Sequence, residues 1–236
     1  RSAMTEENIF GSGQYQNWVQ FFPKIRKDLY FVMDDSWDIP QDKNHSNRNP
    51  YLGLCELDEG RFPSFRGTPA ERLRQLTTRI KQEGWKGAGG WICAQKAGGY
   101  KHQSEEEYWS ERLKAAAYAG FSYWKVDWGH LDRNEDWRRM LTRMGKKYAP
   151  NLWIEHAMHG HFIRFSDAFR TYDVENIMEV LKNLYWLIGK DCDEFEWNRH
   201  IEKLDSGSGV DGKTIKTSQF YNIDEKLTAL ESFNNK

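Results

Sequence analysis

Two adjacent carboxylates and an indole, Asp34-Asp35-Ser36-Trp37, close the apolar run Tyr30 to Met33, and another carboxylate, Asp127, closes the run "FSYWKVD". Lys125 precedes Asp127 by two residues, so in a strand both side chains point to the same side. An ammonium beside a carboxylate keeps it ionised and ready to attack. The same spacing equally suits an ordinary ion pair in a polar layer of a barrel. Further along, Glu155 and His156 end "NLWIEHA", and Arg170 and Asp173 end "SDAFRTYD". Two carboxylates facing one another across a sugar ring can run retaining glycoside hydrolysis: one attacks the anomeric carbon, while the other protonates the leaving oxygen and later activates water. On these grounds Asp127 is the candidate nucleophile.

The elements that would position these groups are legible from caps and periodicity. In "GTPAERLRQLTTRIKQEG", Thr68 is the N-cap, Pro69 opens the first turn, and Glu71 completes a capping box. Leu73, Leu76 and Ile80 form the buried stripe and Gly84 ends the helix. "SEEEYWSERLKAAAYAG" repeats the grammar with Ser104, Glu107 and Gly120, and turns Trp109, Leu113, Ala116 and Ala117 inward. A third helix is capped by Asn134, striped by Trp137, Met140, Leu141 and Met144, and stopped before Pro150. Between these helices lie apolar runs short enough for strands: 30 to 33, 84 to 94, 121 to 129, 151 to 157 and 166 to 173.

Strands alternating with helices, each strand apolar on both faces, predict parallel βαβ units. A doubly wound sheet also fits that alternation. Almost every strand ends in charge, however, and a (β/α)8 barrel of the TIM type would bring those charged ends to one mouth, where barrel enzymes place their chemistry. The expected fold class is therefore α/β, a TIM-type barrel over residues 1–182. Residues 183–236 are expected to be degenerate or incomplete C-terminal barrel units, with a flexible loop near 205–218.

The balance of 34 Lys+Arg against 35 Asp+Glu gives a formal charge of -1, which supplies no field for nucleic acid or an anionic membrane. No run of 18 apolar residues occurs, and "RSAMTEENIF" lacks the regions of a secretory signal. A soluble protein is expected, secreted or periplasmic if a signal peptide has been removed. Cys55, Cys93 and Cys192 are odd in number and far apart, which argues against a disulfide framework or a CxxC zinc site. Aromatic residues make up 15% of the chain and several fall at strand ends, a placement that suits partly apolar, flat ligands such as sugars, although core filling explains many of them.

In order, "DDSW", "ELDEGRFPSF", "GGWICA", "YWKVDWG", "IEHA" and "FRTYDV" resemble the clan D glycoside hydrolases, the α-galactosidase and melibiase group, over roughly residues 28 to 180. In that family a strand ends in Asp-Asp-x-Trp, a D-x-x-(R/K)-F-P segment follows, and a K-x-D strand holds the nucleophile. The resemblance implies a retaining exo-α-glycosidase, an α-galactosidase, that hydrolyses terminal α-linked galactosides by double displacement without cofactor or metal. It implies Asp127 as nucleophile and Asp173 as acid/base, with Phe169 and Tyr172 raising the acid's pKa. The Arg170 to Asp173 spacing is one residue shorter than the family's, which leaves Asp167 and Glu175 as alternative acids. Asp34 and Asp35 would grip the 4- and 6-hydroxyls while Trp37 walls the ring. Lys125, Glu155 and Arg170 would reach further hydroxyls, and Trp91 and Trp128 would floor or wall the sugar.

Two other readings belong to different classes. A non-catalytic carbohydrate-binding barrel would keep the grip without turnover. A metal-dependent barrel hydrolase would use His156, His159 and His161 of "EHAMHGH" as three ligands.

Overall fold

The computed structural model describes residues 4–14, 16–40, 43, 49–157 and 164–169. The chain forms two compact units, Arg1–Met158 with Phe165–Ala168, and His159–Arg164 with Phe169–Lys236. The second lies almost wholly outside the described residues, and with it Arg170, Asp173, Glu175, Cys192 and the 183–236 segment. The two outer histidines of the metal reading, His159 and His161, also fall outside them.

The first unit is α/β. A short N-terminal helix α1 (Glu6–Phe10) precedes strands β1 (Tyr30–Met33), β2 (Gly87–Ile92), β3 (Tyr123–Val126) and β4 (Trp153–His156). Helices α2 (Pro69–Gln82), α3 (Glu105–Ala119) and α4 (Glu135–Tyr148) connect consecutive strands. The pairs β1/β2, β2/β3 and β3/β4 are all parallel, and the sheet order β1-β2-β3-β4 continues to a two-residue strand β5 (Ala168–Phe169). This arrangement is compatible with a TIM-type barrel, whose closure falls outside the described residues.

The helices begin where their caps predict. Thr68 and Ser104 each form a complete capping box with Glu71 and Glu107, and Asn134 accepts from the Trp137 amide. Gly120 ends α3 in the left-handed region at φ 70. One stripe differs: Ala117 is exposed and Ala119 takes the inward position. The buried positions of α3, Leu113, Ala116 and Ala119, follow the three-residue step, so 117 falls on the solvent side.

The main core lies between sheet and helices. Trp109 is its hub, with Trp124 at 6.2 Å and Trp137 at 5.4 Å between ring centroids, and Leu76, Leu113, Val126, Leu141 and Ile154 are buried around it. β2 is short-side-chained because its neighbours need the room. A Cβ on Gly89 would sit 2.4 Å from the Tyr123 carbonyl oxygen, and one on Gly90 would meet the Trp37 ring at 3.0 Å.

The strands are not apolar on both faces. β2 is buried along its whole length, whereas β3 and β4 alternate, with Tyr123, Lys125 and Glu155 half-buried and Trp153 exposed. Their partners at the intervening positions, Trp124, Val126, Ile154 and His156, are buried toward the helices. The sheet thus has one dry face and one polar aromatic face, and the candidate residues stand on the latter.

Candidate active site at the carboxyl ends of the strands

Strand register brings the motifs together. Trp91 on β2 pairs with Lys125 on β3, and Lys125 pairs with Glu155 on β4. Asp34 follows directly on Met33, which pairs with Gly90, so it continues the same row. One line of side chains across the sheet therefore carries Asp34, Trp91, Lys125 and Glu155. Next to it, at the strand ends, stand Cys93 and Asp127, and the Asp127 amide donates to the Ile92 carbonyl at 3.0 Å.

Lys125 Nζ lies 3.0 Å from Asp34 Oδ1, an ion pair between residues 91 positions apart. Asp34 is 62% exposed and Lys125 21%, and a pair so wet contributes at most about 1 kcal/mol to stability. The expected partner of Lys125 was Asp127. The carboxylate of Asp127 instead accepts a hydrogen bond from Trp91 Nε1 at 3.0 Å and is buried. Strand twist and the long lysine stem carry the ammonium past β2 to the end of β1, whereas the indole of Trp91, one strand over, stays beside Asp127.

Trp37 corrects another expectation. It is buried in the main core, its ring 6.1 Å from Phe121 and its Nε1 donating to the Trp91 carbonyl at 2.8 Å. A residue so enclosed does not wall a ligand; it supports the β2 backbone from below. The turn that sends Asp35 to the rim and Trp37 beneath the sheet is made at Ser36, which adopts φ 80 and donates its hydroxyl to Asp35 Oδ1 at 3.0 Å. A left-handed, buried non-glycine residue is an energetically strained choice of the kind found at functional turns.

Trp91, too, is enclosed, with 1% of its surface accessible, so its contribution is to hold Asp127 rather than to present a face. Trp128 packs on it at 5.1 Å and is only half-buried, which makes Trp128 the aromatic surface beside the carboxylate. Ile39, Leu52 and Cys93 complete this small apolar cluster, separate from the main core. On the other side of the row, Tyr123 donates its hydroxyl to Glu155 Oε2 at 2.8 Å. Burial first, and then the Glu155 charge, push the Tyr123 phenol up, so it remains a donor.

The acidic tips converge at the end of β2. The Cys93 thiol is raised well above its ordinary range, first by burial and then by the negative charges of Asp38, Asp35 and Asp127, with the neighbouring Cys55 opposing its ionisation as well. Cys55 and Cys93 are both buried free thiols, and burial foremost also raises Cys55.

Asp38 is a residue that the sequence reading did not single out. It is buried, Oδ2 accepts from the Cys55 amide at 3.1 Å, and Oδ1 has no hydrogen-bond partner among the described residues. Burial, aided by the charge of Asp35, pushes its carboxyl up to about 7 against the Cys55 hydrogen bond. Because the folded value lies above the ordinary 3.8, the stability contribution of this group is fully present below 3.8 and lost as pH rises through about 7. Asp38→Asn, which keeps the shape without the charge, is expected to raise the thermal midpoint at pH 8 and to change it little at pH 4. A scan of midpoint against pH for both proteins measures this, and parallel profiles would contradict the assignment.

His156 corrects the metal reading. It faces α4, away from the rim, and both ring nitrogens are engaged: Nδ1 with an Arg138 guanidinium nitrogen at 2.9 Å and Nε2 with Thr142 Oγ1 at 2.8 Å. Burial, then the Arg138 charge, hold its pKa well below the ordinary 6.5. No group of three potential metal ligands occurs among the described residues.

Arg138 was also missed. Fully buried, it donates to the carbonyls of Val126, Asp127 and Asp132 at 3.0, 2.8 and 2.7 Å and so clamps the backbone that carries the candidate nucleophile. Its signal was available in the pattern: position 138 lies on the apolar stripe of α4, three residues before Leu141. Asp167, one of the alternative acids, is committed elsewhere, with Oδ2 accepting from the Ile154 amide at 3.0 Å and Oδ1 paired with Lys146. Among the described residues no helix is long and apolar enough to cross a membrane. Comparison of the chain with protein-family models, curated proteins and solved structures gave no match.

Proposed function

We propose that the protein is a retaining exo-α-glycosidase of α-galactosidase type, acting on terminal α-linked galactosides. The observation that carries this reading is the 3.0 Å contact of Lys125 with Asp34, which joins the paired-aspartate motif to the Lys-x-Asp motif in space. A hydroxylated ring is the ligand such a rim suits. Ionised carboxylates accept hydroxyl hydrogen bonds with charge-assisted strength, an ammonium donates to ring hydroxyls, and Trp128 offers an apolar surface. In this reading Asp34, Asp35, Lys125, Glu155 and Arg170 hold the sugar.

Trp91 fixes Asp127 through Oδ2, and the carboxylate attacks the anomeric carbon as the aglycone departs with a proton from Asp173. Asp173, then a base, draws a proton from water, and that water releases the sugar from Asp127 with net retention of configuration. No metal or cofactor enters these steps.

The test is a panel of aryl α-glycosides, with the galactoside, N-acetylgalactosaminide and arabinopyranoside in parallel, followed by mass spectrometry of protein incubated with a slow 2-fluoro substrate. The expected result is galactoside turnover and a glycosyl adduct on the peptide carrying Asp127. Binding of galactosides with no turnover and no adduct would favour the binding-only barrel.

A further inference from the structure

Beyond the carboxylate rim, a pocket of about 320 Å³ opens among the loops that follow β1, β2 and β3. Its walls include Gln95, Lys96, Lys101, Glu105, His130 and Leu131. Gln95 stands two residues past Cys93, and His130 three past Asp127. The two loops are stitched together by the Ala94 amide on the Trp128 carbonyl at 2.9 Å and the Leu131 amide on the Ala94 carbonyl at 2.8 Å. The pocket is therefore held on the same rigid strand ends as the rim.

Gln95 is 6% exposed, and its Oε1 has no hydrogen-bond partner among the described residues. A buried amide left so costs about 1–3 kcal/mol, which a ligand that satisfies it recovers. Lys96 is already neutralised, its Nζ 3.4 Å from Glu105 and bonded to the Gln103 carbonyl. Two lysines against one glutamate leave a single excess positive charge on the lining, so an ammonium ligand is disfavoured. An anion only accepts, so it would answer the amide in one orientation of its O and N and not in the other. A hydroxyl both donates and accepts, so it answers the Gln95 amide in either orientation of its O and N. Leu131 supplies an apolar wall for the C–H face of a ring.

We propose that this pocket is a second saccharide site, taking one neutral, hydroxyl-rich sugar ring, with Gln95 as its buried anchor. The proposal does not require Asp127 to be a nucleophile. Its test uses methyl α-D-glucopyranoside as probe and saturation-transfer NMR as readout, on the wild-type chain and on four variants. Gln95→Leu removes the anchor, and His130→Trp fills the pocket from an exposed position where folding is not at stake. Asp127→Asn and the double variant Asp34→Asn/Asp35→Asn disable the rim. Expected is probe binding to wild type and to both rim variants, with about tenfold weaker binding to Gln95→Leu and to His130→Trp. No binding to wild type, or binding undiminished in both pocket variants, would overturn the proposal. Equal or tighter binding of D-glucuronate would overturn the neutral class. If the rim variants alone lose the probe, the pocket fails while the rim reading stands.

Discussion

Asp127→Asn is expected to lower turnover of an aryl α-galactoside by roughly three orders of magnitude or more, with little loss of fold. Asparagine keeps an oxygen able to accept the Trp91 Nε1 bond, so the buried indole retains its partner, whereas alanine would orphan it at about 1–3 kcal/mol. The two substitutions thus separate chemistry from stability. Asp127→Gly provides the sharper control. In the vacated space azide can attack the anomeric carbon directly as the aryloxide leaves, giving a β-galactosyl azide of inverted configuration. Recovery of turnover with azide, proportional to its concentration, together with the inverted product by NMR, is the expected outcome. A variant that keeps near-normal turnover without azide would remove Asp127 from the nucleophile's role.

Arg138→Met is expected to be the most destabilising single change in the described unit, by about 3–5 kcal/mol. The guanidinium is fully buried, and it donates to the carbonyls of Val126, Asp127 and Asp132 and to one neutral imidazole. Removing it takes a donor from four acceptors, including the carbonyl of Asp127 and the ring of His156, while the Val126 carbonyl keeps the Ala157 amide. Arg138→Lys rescues little, because one ammonium cannot span a planar fork of acceptors. Chemical denaturation of the three proteins measures the loss.

The same contact fixes the His156 tautomer. Arginine only donates, so Nδ1 accepts, Nε2 carries the proton to Thr142, and the Thr142 hydroxyl donates to the Arg138 carbonyl at 3.2 Å. A histidine held neutral in the fold stabilises fully above its ordinary 6.5 and loses that contribution as pH falls toward its lowered folded value. The His156 contribution to stability should therefore decline below pH 6.5, and that decline should be shallower in an Arg138 variant, which removes the neighbouring charge. Imidazole chemical shifts followed through the titration report it directly.

Asp38 and His156 pull in opposite directions over the acid range. The carboxylate favours the fold when protonated and the imidazole when neutral, so their effects offset one another between about pH 4 and 6.5. Above that window the Asp38 penalty stands alone, which is why its amide variant is informative at pH 8.

Local grammar determined the elements. The capping boxes at Thr68 and Ser104, the Asn134 cap, and the Gly120 stop are interactions among residues three or four apart, so their signals lie contiguous in the chain, and α2, α3 and α4 begin and end accordingly. Alternation of these helices with short apolar runs likewise implied the parallel α/β sheet. Partnerships across the sheet needed the fold. Whether Lys125 meets Asp127 or Asp34 depends on register and twist between strands separated by dozens of residues, and two-residue spacing alone does not contain that information. Trp37 and Asp38 show the same limit: a single left-handed residue at Ser36 redirects the chain so that one half of "DDSWD" faces the rim and the other lies buried. Burial of Arg138 and His156 is likewise a property of the packed layer between α4 and the sheet, where a charge persists because strand-end carbonyls solvate it in place of water.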